Sequence, residues 1–246
     1  MRREDLEQTL VLIKPDALKN SLTGYVFSQL SEVHTGLRFA GTKIVHVCRM
    51  LAEEHYAEHR EKIFYPALIE YIMGISHYPK AKWKRRVIAL VLQGPAAPAK
   101  IREIAGPTNP HAAREERPGS IRSLGTVVPI KDENGREIGD RMDNLIHTSA
   151  TLAEAEREIK LWFKPDDIPP LMRPYPTEVC QEHYYFNAGS LSSDYKEGMI
   201  CLLAPGNIAW KSDLDILKLN LQNRPAPGSI ESVAAKYLTN EECEEL

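Results

Sequence analysis

The chain has 246 residues, of which 43% are hydrophobic and 26% charged, and its formal net charge is −3. That length can bury a core without metal or disulfide staples, and the near-neutral balance excludes gripping a polyanion by bulk charge, so an anion site must be a local cluster of cations. The longest apolar run, residues 87–92, is far too short for a bilayer span, and the charged start Met1-Arg2-Arg3-Glu4-Asp5 has no apolar leader core. Cys48, Cys180, Cys201 and Cys243 form no CxxC pair and no zinc-like spacing with histidine, which reads as reduced thiols of a cytoplasmic protein.

Residues 9–13, Thr-Leu-Val-Leu-Ile, predict a strand buried on both faces, stopped by Lys14-Pro15-Asp16. Lys14 stands where ligands bind at sheet ends, although a merely solvated lysine satisfies the same pattern. Leu22, Tyr25, Val26, Leu30 and Val33 form a helical stripe over residues 22–34, ended by Gly36. Residues 39–50 alternate as a strand with one wet face, and helices are expected over 52–60 and 66–73. Tyr56 and Phe64 flank the joint between those helices and suit core packing as well as a ligand platform.

The stretch 77–86 mixes His, Tyr and Trp with Lys and Arg. It reads as a solvated loop before the buried strand 87–92, with nucleic-acid contact the less favoured alternative. A short helix over 99–105 carries Arg102, a rigid turn holds Thr108, and residues 114–118 read as exposed and charged. Asn134-Gly135 marks a projecting hairpin over 125–140. Residues 144–147 return to the sheet, and Thr151 with Glu154 makes a capping box for a helix that carries Glu158 and ends at Lys164-Pro165. Beyond residue 165 prolines punctuate the chain, a short amphipathic piece spans Leu214 to Leu219, and the sequence from Asn220 reads as mostly loop and acidic tail.

Lys14, Arg102, Thr108, Arg122, Asn144 and His147 all fall at predicted element ends. Three cations, a hydroxyl, an amide and an imidazole suit a triphosphate, because phosphoryl transfer asks for positioning and charge neutralisation. A neutral imidazole can attack phosphorus, and Glu158 could orient it if its helix packs back over His147. No GxxxxGK[ST] loop or protein-kinase signature is present.

The order of motifs is more specific: Lys14-Pro-Asp, Glu-His-Tyr56, Arg102 with Pro-Thr108-Asn-Pro, Pro-Gly-Ser-Ile-Arg122, Asn144-Leu-Ile-His147-Thr-Ser149, and Glu158-Ile-Lys-Leu-Trp-Phe163. Over about residues 9–165 the chain resembles the nucleoside diphosphate kinase family. The resemblance implies an α+β, ferredoxin-like βαββαβ sandwich over residues 1–165, with insertions near 75–86 and 125–140, and a C-terminal extension over 166–246 that packs on the core or in a subunit contact. It implies ATP and nucleoside diphosphates as substrates, exchange through a phosphohistidine on His147 oriented by Glu158, and Mg2+ held mainly through the nucleotide phosphates. By the same likeness Lys14 and Tyr56 hold the transferred phosphate, Arg102, Thr108 and Arg122 the others, Asn144 meets the sugar, and Phe64 stacks on the base. A homo-oligomer is also implied. The family has glycine after the histidine where this chain has Thr148, a side chain that could crowd the turn. A nucleotide-binding module with little turnover is therefore the alternative.

Overall fold

The computed structural model describes residues 7–238. Its first half builds a four-stranded antiparallel sheet and the helices on it. In chain order these are β1 (Gln8–Ile13), α1 (Pro15–Lys19), α2 (Thr23–Gln29), α3 (Glu32–Thr35), β2 (Arg38–Val45), α4 (Arg49–His55), α5 (Tyr65–Ile72), β3 (Val87–Gln93), α6 (Ala97–Ala105) and α7 (Pro110–Glu116). A hairpin of β4 (Thr126–Lys131) and β5 (Glu137–Asp143) follows, then β6 (Ile146–Thr148) and α8 (Leu152–Trp162). The sheet order is β2-β3-β1-β6, all neighbours antiparallel, as the ferredoxin-like arrangement requires.

The run at residues 9–13 behaves as its composition dictates. Leu10 and Leu12 pack with Leu51, Ile159 and Trp162 on one side, while Val11 and Ile13 pack with Val26, Leu30 and Ile101 on the other. In β3, Val87, Ala89 and Val91 take the first side and Leu90 and Leu92 the second. Helices α2 and α6 thus cover one face, and α4, α5 and α8 cover the other.

Several boundaries differ from expectation. The helix expected over 22–34 breaks into α2 and α3, and Val33, counted in its stripe, is fully exposed. The strand expected to reach Met50 ends at Val45, because the chain turns into α4 at Arg49. Residues 110–116, read as turn and exposed charge, form α7, with Pro110 in its first turn and the Asn109 side chain accepting the His111 N–H (2.8 Å). In the basic stretch, Arg85 donates to the carbonyls of Tyr78 and Pro79 and Arg86 to that of Lys84, so these arginines brace their own loop.

Past Pro165 the chain is more ordered than its prolines suggest. β7 (Thr177–Val179) pairs with β11 (Ile208–Trp210), and β8 (Tyr184–Asn187) lies between β9 (Ser190–Ser192) and β10 (Ile200–Leu203). Helices α9 (Lys211–Leu221) and α10 (Ile230–Tyr237) complete it. Helix α10 corrects the expectation of loop after Asn220. Its stripe of Ile230, Val233, Ala234 and Tyr237 has helical spacing, but its centre is small residues that give a weak signal. The segment buries Trp210 and Ala235 in the core that contains Trp162, and Trp210 Nε1–H donates to the Phe163 carbonyl (2.7 Å). The acidic residues 239–246 lie outside the described residues.

Cys180 and Cys201 are free thiols, whereas Cys48 is disulfide-bonded, which corrects the reading of uniformly reduced cysteines; Cys243 lies outside the described residues. Among the described residues, no helix is long and apolar enough to cross a membrane.

Candidate active site

Strand β6 pairs His147 with Leu12 and Ile146 with Ile13. Cross-strand partners share a face, so His147 points to the α4/α8 side, toward the helix that carries Glu158. Nε2 of His147 lies 2.8 Å from Oε1 and 2.9 Å from Oε2 of Glu158. An ionised carboxylate only accepts, so Nε2 carries the proton and Nδ1 is left as the ring's lone pair. The carboxylate is fixed in turn: the Ser149 hydroxyl donates to Oε2 (2.7 Å) and accepts the Leu10 N–H (3.2 Å). Burial, with Lys14, Arg122, Arg157 and Arg102 nearby, pushes the His147 pKa well below the ordinary imidazole value and keeps the ring neutral.

His147 lines a cleft of about 420 Å3, which also takes in Lys14, Tyr56, Phe64 and Arg102. Thr108, Arg122 and Asn144 line it as well. Of the nine residues singled out from the sequence, only Glu158 lies outside the cleft, directly behind the histidine.

The inner wall is built by one unusual turn. Leu145 is a buried non-glycine residue at φ 70°, a left-handed conformation that costs on the order of 1–3 kcal/mol. Its N–H is held by Asp16 Oδ2 (2.9 Å) and its carbonyl accepts the Lys14 N–H (2.8 Å). The turn sets Asn144 beside the end of β1, so that Lys14 Nζ donates to Asn144 Oδ1 (2.8 Å) and Asn144 Nδ2 donates to the Thr108 carbonyl (2.9 Å). Lys14 is therefore not a solvated strand-exit lysine. It is buried, and its pKa falls from 10.5 to about 8 because burial outweighs the pull of Asp16. Burial, then the Arg102 charge, likewise lowers Arg122 to about 10. The Arg122 guanidinium is held by the carbonyls of Gly106 (2.9 Å) and Ile146 (3.4 Å). Among the described residues the Tyr56 hydroxyl is buried without a hydrogen-bond partner, while Phe64 is partly exposed at the mouth.

Sequence reasoning assigned no role to several groups found here. His55 stands 4.5 Å from the His147 ring, edge to face, and accepts the Trp162 indole N–H at Nδ1 (3.2 Å). Ser149 and His55 both lie inside the quoted motifs, so their positions were visible although their contacts were not. Asp16 likewise stands inside the Lys14-Pro-Asp motif, whereas Tyr71 gave no signal beyond its surroundings. The hairpin adds Ile130, Asp140, Arg141 and Met142 to the cleft. Thr148 does not crowd a turn: it pairs with Val11 in β6 and is not among the positive-φ residues, though its hydroxyl is buried without a partner among the described residues. The capping box is shifted by one residue. Thr151 Oγ1 accepts the Glu154 N–H, and Glu154 reaches the N–H of Ala150 rather than that of Thr151.

The family model described as nucleoside diphosphate kinase matches residues 7–168. A nucleoside diphosphate kinase of Thermococcus kodakarensis is 33% identical over 204 residues, covering 82% of this chain and 99% of that protein. One from Pyrococcus horikoshii is 39% identical over 164 residues, covering 67% and 89%. Among solved structures, the Aquifex aeolicus nucleoside diphosphate kinase superposes with a TM-score of 0.52 at 29% identity, covering 66% of this chain and 99% of that one. A halophilic nucleoside diphosphate kinase from Halobacterium salinarum in complex with CDP gives 0.50 at 32% identity, covering 66% and 91%. With the matched region containing the sheet, the cleft and the His147–Glu158 pair, the chain belongs to the nucleoside diphosphate kinase family.

Proposed function

We propose that the chain moves the terminal phosphoryl group of ATP to nucleoside diphosphates in two half-reactions, through a phosphohistidine at Nδ1 of His147. The observation that carries this reading is a neutral imidazole whose Nε2–H is pinned on a buried carboxylate while the rest of the ring borders a cation-lined cleft. In the first half, the Nδ1 lone pair forms the N–P bond, and the bond from phosphorus to the β–γ bridging oxygen breaks, leaving ADP with the electron pair. No proton moves: the ring becomes a cation whose Nε2–H stays on Glu158, which stabilises the charge. A terminal oxygen of a second nucleoside diphosphate then takes the phosphoryl group and restores the neutral ring.

Lys14 and Tyr56 meet the transferred group, Arg102, Thr108 and Arg122 neutralise the remaining phosphates, Asn144 meets the sugar and Phe64 stacks on the base. Mg2+ enters as part of the substrate. The cleft offers cations and amides, with carboxylates only at Asp140 and Glu154, and no oxygen cage such as a dedicated Mg2+ site needs. The one cluster of metal-ligand type among the described residues, His55, His147 and Glu158, is rich in nitrogen, and its donors are already engaged: His147 with Glu158, and His55 Nδ1 with the Trp162 indole. The kinase unit ends near residue 165 and residues 166–246 are its extension. The reaction is cytoplasmic, where ATP is abundant and where the disulfide at Cys48 is the exception, and the working form is a homo-oligomer, which light scattering on a sizing column would test.

Incubation with γ-labelled ATP should give acid-labile, base-stable label on the wild type and none on His147→Ala. Nucleotide binding beside transfer no faster than that of the alanine variant would instead favour a binding module.

A further inference from the structure

We infer that the junction between the kinase unit and its extension holds a binding site for a small organic anion, and that Arg157 relays its occupancy to His147; the second half rests on the phosphotransfer reading above. Four helices meet at this junction. The end of α4 and the middle of α8 supply one side, and α9 with the Pro227-Gly228-Ser229 entry to α10 supplies the other. Pro225 and Pro227 keep that entry extended, so the helices do not close on one another. They leave a cavity of about 250 Å3 that shares no lining residue with the phosphate cleft.

Ala57, Leu161 and Ile216 give the cavity apolar walls. Its carboxylates are already engaged. Glu54 Oε1 accepts from Arg60 (3.0 Å) and its Oε2 from the Ser229 hydroxyl (2.8 Å). Asp213 and Lys236 are buried and neutralise each other (3.0 Å), and Lys160 is paired with Glu156 (2.5 Å). Arg157 is held loosely. Nη1 donates to the Glu54 carbonyl at 3.4 Å, and Nη2 lies 3.8 Å from Glu158 Oε1, whose carboxylate already serves His147 and Ser149. Apolar walls beside an under-used guanidinium fork suit an apolar body that carries one phosphate or carboxylate.

Arg157 also lines a second, smaller space of about 90 Å3 together with His55, His147 and Glu158. Of the four cations that act on His147, Lys14, Arg122 and Arg102 line the phosphate cleft, and Arg157 stands outside it. Bound phosphates offset the first three. Arg157 goes on opposing the positive charge that the ring acquires with phosphorus on Nδ1. An anion in the junction cavity pairs with Arg157 and offsets that charge, so it favours the phosphorylated ring. By linkage, phosphorylation tightens the anion by the same factor.

The test uses the full chain, with phenyl phosphate and benzoate as probes that share a ring and differ in the anionic head. Titration calorimetry with saturating tripolyphosphate, which closes the phosphate cleft, should show binding, and the tighter probe identifies the preferred head. Ser212→Trp, which fills the cavity from α9, should abolish it while basal phosphoenzyme formation stays within ~2-fold; Ile216→Phe serves if that variant does not fold. Arg157→Gln should weaken binding ~10-fold, the effect of one charged contact. At a fixed ratio of ATP to ADP, saturating probe should shift the phosphorylation equilibrium of the wild type ~5-fold toward phosphohistidine and leave that of Arg157→Gln unmoved. No binding of either probe with the cleft closed, or binding indifferent to both substitutions, would overturn the site. Binding without a shift in the equilibrium would overturn the relay through Arg157. Absence of phosphohistidine in the wild type removes the reaction itself, whereas the titration is read without it.

Discussion

Replacing Lys14 with methionine should make the protein more stable and catalytically inert. Lys14 is buried at the end of β1, and its drop from 10.5 to about 8 means that the folded state penalises its charge, first through burial. At ~1.4 kcal/mol per unit that penalty is ~3 kcal/mol. The substitution also loses the hydrogen bond to Asn144 and the seat over the Tyr71 ring, together ~1–2 kcal/mol. The net gain is then ~1–2 kcal/mol, which for a chain of this size raises Tm by ~2–8 °C. The pH dependence has a definite sign. Below pH 8 lysine is charged in both states and the penalty is complete. As pH rises from about 8 toward 10.5 the folded protein gives up the proton first, the wild type gains stability, and the advantage of methionine disappears. Calorimetry of both proteins from pH 7 to 10, beside a coupled transfer assay, measures both halves. A lower Tm for the variant at pH 7, or an advantage that does not shrink with pH, would refute the electrostatic reasoning.

Other outcomes follow from the same geometry. Glu158→Gln keeps the shape behind His147 but removes the negative charge, so phosphoenzyme formation should slow ~10–100-fold in stopped-flow quench experiments, and an unchanged rate would exclude charge stabilisation as its role. Because His147 is held well below its ordinary pKa and its neutral form is the nucleophile, that rate should show no loss as pH falls through 6.5; a titration at the ordinary imidazole value would contradict it. Gly125→Ala places a Cβ 2.5 Å from the Asp143 carbonyl and 3.1 Å from that of Arg122, at the foot of the hairpin. It should cost ~1–3 kcal/mol in denaturant melts and raise the KM for nucleotides, since Asp143 adjoins Asn144; a neutral effect would show that the hairpin moves freely there.

What could be read in advance depended on the type of signal. The apolar runs of β1 and β3 gave both strands and their burial, because a continuous run without alternation has no wet face. The motif order gave the cleft, since its residues sit at element ends that the sheet gathers together. Contacts made by ordinary residues were silent. Nothing in the sequence marks Leu145 as left-handed, because the conformation is held by Lys14 and Asp16 at the junction of β1 and α1, far away in the chain. The Asn134-Gly135 turn announced a hairpin, but not that its stem returns into the cleft with Arg141 aimed by His77. The extension was obscured by its prolines and by an alanine-centred stripe in α10, and it is attached through scattered buried residues such as Trp210 and Ala235 that composition cannot locate.

Nitrogen-15 NMR of histidine-labelled protein after treatment with ATP, followed by addition of a nucleoside diphosphate, tests the central claim most directly. Phosphorus should appear on Nδ1 of His147, with the proton retained on Nε2 beside Glu158, and should leave when the acceptor is added. Phosphorus on Nε2, on another residue, or on none would contradict the account.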